Sequence, residues 1–313
     1  MSATATETLH APVMVDEVLA ELMTTTDGWY VDGTAGTGGH AAAILGQLSA
    51  RGRLLGLDLD PKALEIARRR LAPSAERVVL RQASYEQLPA ILAELQVNQC
   101  QGLLLDLGLS SFSLEGSGRG FSFQADEPLD MRYDPGRGRP LAQVLPALSF
   151  NELADILTRY GEERQAGRIA GAIHRDASAG LLTTSGALAA TVRAASSARQ
   201  VTKTLARVFQ ALRIHINDEL HALGSTLDRL GESLSTGARL VVISYHSLED
   251  RLVKQFIARE SKDCICPPEL PACVCDHKAT FRPITRKPLT PSPVELARNS
   301  RSRSAKLRAA ERV

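Results

Sequence analysis

The stretch VDGTAGTGGH at residues 31–40 sets four glycines behind an aspartate, between an apolar lead-in and the helical run AAAILGQL. A glycine loses more chain freedom on folding than any other residue, so such density marks a tight turn or a close approach to the backbone. A strand that passes through a glycine turn straight into a helix is the opening of a βα unit. The chain then keeps that rhythm. GRLLGLDLD reads as a second strand and PKALEIARRRLA as its helix, begun by Asp60 as a carboxylate cap and by Pro61, whose missing N–H would be unpaired in any case. ERVVLRQASY and CQGLLLDLGLSS read as third and fourth strands. Near-continuous apolar runs between helices belong to a parallel sheet buried on both faces, which predicts a doubly wound α/β domain.

The alternation stops after residue 110. Residues 112–140 are glycine-rich and irregular, with aromatics and arginines interleaved, and helical patterns follow. Ser149 and Glu152 have capping-box spacing ahead of an apolar face of Leu153, Ile156, Leu157 and Tyr160. The next convincing strand is ARLVVISYHS at 238–247, reached through the long pattern LARVFQALRIHINDELHALGSTLDRL. The expected organisation is an α/β core of residues 1–110 and 216–313, with a mostly helical insertion at 111–215. FRPITRKPL and AKLRAAERV are candidate closing edge strands.

No stretch offers the ~18 consecutive apolar residues of a membrane span. The beginning, MSATATETLH, has neither the basic region nor the apolar block of a secretory signal, so a cytosolic protein with no membrane partner is expected. The net charge of +2 hides an asymmetry: residues 276–313 carry +7 and the remainder −5. A basic segment suits a polyanion such as nucleic acid, although a charge run also serves as a plain solvated surface.

Four of the five cysteines cluster as CICPPELPACVC, namely Cys264, Cys266, Cys273 and Cys275. Disulfides are disfavoured in a cytosolic chain, so a tetrahedral zinc site is a candidate. The single residue inside each pair is tighter than the usual zinc spacing, which favours free thiols or a redox-dependent bridge over metal. Cys100 leads into an apolar strand and is expected to be a small buried hydrophobe.

Two nucleotide-binding readings compete for the glycine turn. Gly36, Gly38 and Ala41 satisfy the dinucleotide pattern, with Asp58 about twenty residues on for a ribose. The other reading counts from Asp32: an acidic residue followed by alternating glycines at Gly36 and Gly38 resembles the first motif of S-adenosylmethionine methyltransferases, with Thr34 in place of the usual first glycine. A pyrophosphate wants a bare helix N-terminus, whereas a zwitterionic amino acid beside a sulfonium tolerates a nearby carboxylate. Asp32 therefore favours methyl transfer.

HAPVMVDEVL, VDGTAGTGGH, LGLDLDP, LLLDLGLSS, RGFSFQADEPLDMRYDP, YGEERQAGRIAGAI, FQALRI, ISYHSLEDR and NSRSRSAKLR follow one another in this order. Together they closely resemble the bacterial small-subunit rRNA cytosine-N4 methyltransferase family, from about His10 to near the last residue. The resemblance implies a Rossmann-like core holding S-adenosylmethionine, interrupted by a helical substrate domain, and methylation of a P-site cytidine in 16S rRNA, within the small ribosomal subunit. It also implies cofactor contacts at Gly38, Gly39, His40, Asp58, Tyr85 and Asp106, beside Asp32 and Gly36 of the first motif. Another falls on Ser113, where this chain reads SSFS and the family has a glutamine of longer reach.

Asp106 is the expected catalytic residue. The lone pair of an exocyclic cytosine amine is delocalised into the ring, and a carboxylate accepting its hydrogen concentrates density on nitrogen and relieves the charge built up during attack. The prolines and aromatic that related amino-methyltransferases carry at this strand end are missing, so the ring that stacks on the base must come from Phe112, Phe121, Phe123 or Tyr245. Ser247 and Asp250 have capping-box spacing and read as structural. His246 either faces the site or is satisfied by backbone. Arg119, Arg132 and the loop aromatics fit single-stranded RNA, and the run NSRSRSAKLR fits phosphates. The competing classes are an NAD-dependent oxidoreductase and a non-catalytic RNA-binding assembly factor with a zinc knuckle at Cys264–Cys275.

Overall fold

The computed structural model describes residues 12–109, 112, 114, 117–267, 270 and 273–313, apart from the side chain of Ser300. Its elements begin with α1 (Val15–Leu22), β1 (Trp29–Asp32), α2 (Gly39–Gln47), β2 (Arg53–Asp58), α3 (Pro61–Leu71), β3 (Val78–Gln82), α4 (Leu88–Glu94) and β4 (Cys100–Asp106). Four longer helices follow: α5 (Phe150–Arg159), α6 (Ala166–Ser178), α7 (Ser185–Ala195) and α8 (Val201–Asn217). The chain closes with α9 (Glu219–Asp228), β5 (Leu234–Ser244), α10 (Ser247–Glu260), β6 (Phe281–Pro283), α11 (Pro293–Arg298) and β7 (Lys306–Arg312). Two compact units result: Met1–Gly108 with Ala222–Val313, and Leu109–His221.

The first unit is built on one seven-stranded sheet of order β3-β2-β1-β4-β5-β7-β6. Strands β1 to β5 pair in parallel, while β7 runs antiparallel to both β5 and β6. The strand sequences dictate burial on both faces. Tyr30, Leu54, Leu104 and Val241 pack with Val18 and Leu22 of α1 and Ile44 of α2. Their immediate neighbours Val31, Leu55, Leu103, Leu105 and Val242 point the other way, onto Leu92 of α4, Leu227 of α9 and Val253 of α10. A period of two with both phases apolar is what helices on each face require. Cys100 is fully buried there, its Sγ 3.3 Å from the Ser233 carbonyl. Asp60 caps α3 as the sequence predicts, accepting from the Lys62 amide at 3.0 Å.

In the second unit α5 to α8 close on one apolar core that includes Leu153, Leu157, Ile169, Ile173, Leu188, Val192, Val208 and Leu212. The Ser149–Glu152 capping box forms: the Glu152 amide donates to Ser149 Oγ, and the Ser149 amide to Glu152 Oε2 at 2.8 Å. The long helical pattern breaks after Asn217, where Asp218 turns left-handed at φ 52°. Asn217 explains the stop, because its side chain accepts from the Tyr133 amide and donates to the Met131 carbonyl.

Two arginines expected to read RNA are used inside this unit. Arg119 is buried and donates to the carbonyls of Arg132 and Tyr133. Arg132 forks onto both carboxylate oxygens of Asp130 at 2.6 and 2.8 Å and also holds the Arg137 and Gly138 carbonyls. They tie the glycine-rich loop to itself. Phe121 is buried and stacks on Tyr133, and Phe123 sets its edge against Phe209. Both rings belong to packing.

Candidate active site

Three strands of the first unit end on an aspartate: β1 on Asp32, β2 on Asp58 and β4 on Asp106. The order 3-2-1-4-5 reverses direction between β1 and β4, and ligands of open α/β sheets bind outside the carboxyl ends of the strands at such a switch point. The three carboxylates therefore stand where this architecture places chemistry.

Asp58 is held by backbone. Its Oδ2 accepts from the Gly36 amide at 2.7 Å and its Oδ1 from the Asp60 amide at 2.8 Å. Burial nevertheless pushes its pKa up to about 6. Asp32 is 1% exposed, and burial raises it to about 6 as well. One of its oxygens accepts from the Thr34 amide at 3.2 Å, but Oδ2 is buried with no hydrogen-bond partner. An orphaned carboxylate oxygen under a glycine turn attracts a cation and repels a pyrophosphate.

The turn itself divides its glycines between two tasks. Gly36 at φ 50° and Gly38 at φ 82° adopt the left-handed backbone that side chains resist. Gly36 thereby aims its amide at Asp58, whereas a Cβ on Gly38 would stand 3.3 Å from Ala67 of α3. The close approach that glycine density implies is, at Gly38, that of a neighbouring helix. Gly39 opens α2 beside Pro12.

His40, the second residue of α2, is buried, and its Nε2 lies 3.4 Å from Asp106 Oδ2 without hydrogen-bond alignment. Burial works against a charge on this ring, yet Asp106 and Asp32 together lift its pKa above the ordinary value. The other oxygen of Asp106, Oδ1, accepts from the Tyr245 hydroxyl at 2.8 Å. Burial and that carboxylate both push the Tyr245 phenol upward, so it stays a donor. The Asp106 amide donates to Thr34 Oγ1 at 2.7 Å. Thr34, the departure from the usual glycine, thus links the β1 turn to the end of β4. Asp106 keeps a side-chain exposure of 23%, against 6% for His40. It is the reachable member of the group.

Tyr245 spends its hydroxyl on Asp106. Tyr85 begins a short turn after β3, its Cβ 3.2 Å from where a Cβ on Gly33 would lie, and its side chain packs partly against the core. Ser113 lies outside the described residues. The cap of α10 falls one residue earlier than its spacing predicts. His246 Nδ1 accepts from the Glu249 amide, and Glu249 Oε2 accepts from the His246 amide, completing a capping box. His246 is thus taken up by the helix start, and Asp250 is freed to bind Arg308 at 2.6 Å and Lys306 at 3.2 Å. Those two cations of NSRSRSAKLR are accordingly neutralised inside the unit, while Arg303 remains exposed. The sequence reading missed Glu295 altogether. From α11 it accepts the Met14 amide at 2.7 Å and adds negative charge near His40.

Among the described residues no helix is long and apolar enough to cross a membrane. The sequence profile of the MraW methylase family matches residues 7–313. A protein of Syntrophotalea carbinolica is 49% identical over 307 residues, covering 97% of this chain and 98% of its own. Proteins of Heliobacterium modesticaldum and Thermomicrobium roseum are 46% and 44% identical, covering 97% and 98% of this chain and 98% and 94% of their own. All three carry the name ribosomal RNA small subunit methyltransferase H.

Proposed function

This chain belongs to the MraW methylase family, and on that premise we propose that it methylates the exocyclic N4 amine of a cytidine in 16S rRNA, using S-adenosylmethionine. The observation that carries the reading is the convergence of Asp32, Asp58 and Asp106 on the carboxyl edge of the sheet at its switch point. The residues fit the cofactor. The orphaned Asp32 Oδ2 suits the cationic amino-acid end, Asp58 has lone pairs left for ribose hydroxyls, and the family pattern assigns Tyr85 to the adenine. Gly36, Gly38, Gly39 and His40 line the turn between them, and the family pattern extends the contacts to Ser113.

When bound, S-adenosylmethionine supplies an electrophilic methyl group on a sulfonium. The chain's own residues prepare the amine. Asp106 accepts one amine hydrogen, which concentrates the lone pair on nitrogen, and it is placed to take the proton that nitrogen sheds once the new C–N bond forms. Tyr245 and Thr34 fix the position of that carboxylate from its Oδ1 and its own amide. His40 stands beside Oδ2, its Nε2 at 3.4 Å.

An NAD-dependent oxidoreductase fits less well. The antiparallel β7 wedged between β5 and β6 departs from the dinucleotide-binding strand order, and Asp32 opposes a pyrophosphate. The helical insertion serves substrate recognition in this reading, with the assembled small subunit as a partner. Nucleoside mass spectrometry of 16S rRNA from a strain lacking the gene tests the assignment. N4-methylcytidine should vanish and return with the wild-type gene; an unchanged nucleoside content contradicts it.

A further inference from the structure

A second cluster of ligating groups lies outside the aspartate site, in the segment between α10 and β6. Its base is pinned: the Thr280 amide donates to the Glu260 carbonyl at 2.9 Å, Thr280 Oγ1 donates to Glu260 Oε2 at 2.6 Å, and the Ala279 amide reaches Asp263 Oδ1 at 3.3 Å. Its tip brings together Cys264, Cys266, Cys273 and Cys275, one sulfur from each within 4.8 Å of all the others.

The sulfur spacing is informative. Cys273 and Cys275 stand 3.6 Å apart, and Cys264 and Cys275 3.9 Å. A zinc–sulfur bond of about 2.3 Å sets the edge of a tetrahedron of sulfurs at about 3.8 Å. A disulfide would need about 2.05 Å. The backbone adds a second observation. The Ile265 amide, from inside the first cysteine pair, donates to Cys275 Sγ at 3.4 Å; the Val274 amide, from inside the second pair, donates to Cys266 Sγ at 3.4 Å. This reciprocal exchange supports negative charge on sulfur, as thiolate ligands require.

Packing cannot account for the cluster. Ile265, Leu270 and Val274 are 46%, 45% and 74% exposed, so among the described residues the tip has no apolar core of its own. The single-residue spacing that counts against metal in the sequence carries less weight here, because the two pairs bring their four sulfurs within 4.8 Å of one another.

We propose that Cys264, Cys266, Cys273 and Cys275 form a closed, structural zinc site that locks the excursion between α10 and β6. Four protein ligands leave no open position, so the metal holds the fold of this segment and takes no part in methyl transfer. Three measurements on the full chain test it. Elemental analysis after purification under reducing conditions without chelator should give about one zinc per chain. Replacement by Co²⁺ should give the intense thiolate-to-cobalt charge-transfer absorption of a tetrahedral sulfur site. Cys266→Ser should lose the zinc and open the segment to protease at Lys262 or Lys278 while keeping S-adenosylmethionine affinity. If Cys266→Ser does not fold, the first two measurements on the wild type still decide. Wild-type protein with no stoichiometric metal, with iron in place of zinc, or with the four cysteines paired as disulfides overturns the assignment.

Discussion

The hydroxyl of Tyr245 donates to Oδ1 of Asp106 at 2.8 Å, joining the residue after β5 to the last residue of β4. The bond fixes which lone pairs of the carboxylate remain for a substrate. Removing the hydroxyl with Tyr245→Phe should leave S-adenosylmethionine affinity in place and slow methyl transfer about tenfold, since a hydrogen bond to a charged group contributes about 1.5 kcal/mol. Single-turnover rates beside calorimetric affinities check this. An unchanged rate would remove Tyr245 from the positioning role.

Asp106→Asn keeps the size of the side chain but halves its acceptor capacity and removes the charge that opposes the developing ammonium. The methyl-transfer step should slow on the order of a hundredfold. Some loss of cofactor affinity should accompany it, so the rate is measured with both S-adenosylmethionine and RNA saturating. Recovery of the full rate under those conditions would mean that Asp106 only holds the cofactor.

Thr34 accepts the Asp106 amide at 2.7 Å. Thr34→Val removes the acceptor at nearly constant volume and should cost about 1–2 kcal/mol of stability in chemical denaturation, because a partly buried amide loses its partner. Thr34→Ser keeps the oxygen and should stay close to wild type. Equal losses in both variants would place the effect in packing.

Asp58 makes a pH-dependent prediction. Burial raises its folded pKa to about 6 from 3.8, so the folded state holds a proton that the unfolded state has released between those values. Its contribution is fully present below pH 3.8 and is lost as pH rises through about 6, a difference of about 3 kcal/mol. Asp58→Asn cannot ionise. Without cofactor, its stability relative to wild type should rise by about that amount from pH 4 to pH 7. It should also bind S-adenosylmethionine more weakly at neutral pH. A stability difference independent of pH would contradict the raised pKa of Asp58.

Much of this arrangement is legible in the sequence, because its signals are local. Doubly apolar strand runs, the Asp60 cap and the Ser149–Glu152 box are each written within a few residues. Both closing strands are visible for the same reason, but only β6 is an edge; β7, expected as an edge too, pairs with β5 on one side and β6 on the other. What escapes the sequence depends on partners far along the chain. Tyr245 reads as a stacking ring until Asp106, 139 positions away, is found on its hydroxyl. Arg119 and Arg132 read as RNA contacts until Asp130 and the carbonyls of the same loop absorb them. The cap of α10 slips from Ser247 to His246 because Glu249 sits three residues after the histidine, a pairing as regular as Ser247 with Asp250. The cysteine spacing alone does not report that one sulfur from each of Cys264, Cys266, Cys273 and Cys275 comes within 4.8 Å of the others, because distance along the chain says nothing of distance in space.

Chemical identification of the methylated product tests the proposed N4 methylation most directly. Purified protein is incubated with methyl-labelled S-adenosylmethionine and small-subunit rRNA from a strain lacking the gene, offered both naked and in assembled subunits. Nucleosides are then separated and the label located. One labelled nucleoside, N4-methylcytidine, is expected, formed by wild-type protein and strongly reduced with Asp106→Asn. Label on a ring carbon or a ribose oxygen, or no label in either RNA preparation, would contradict it.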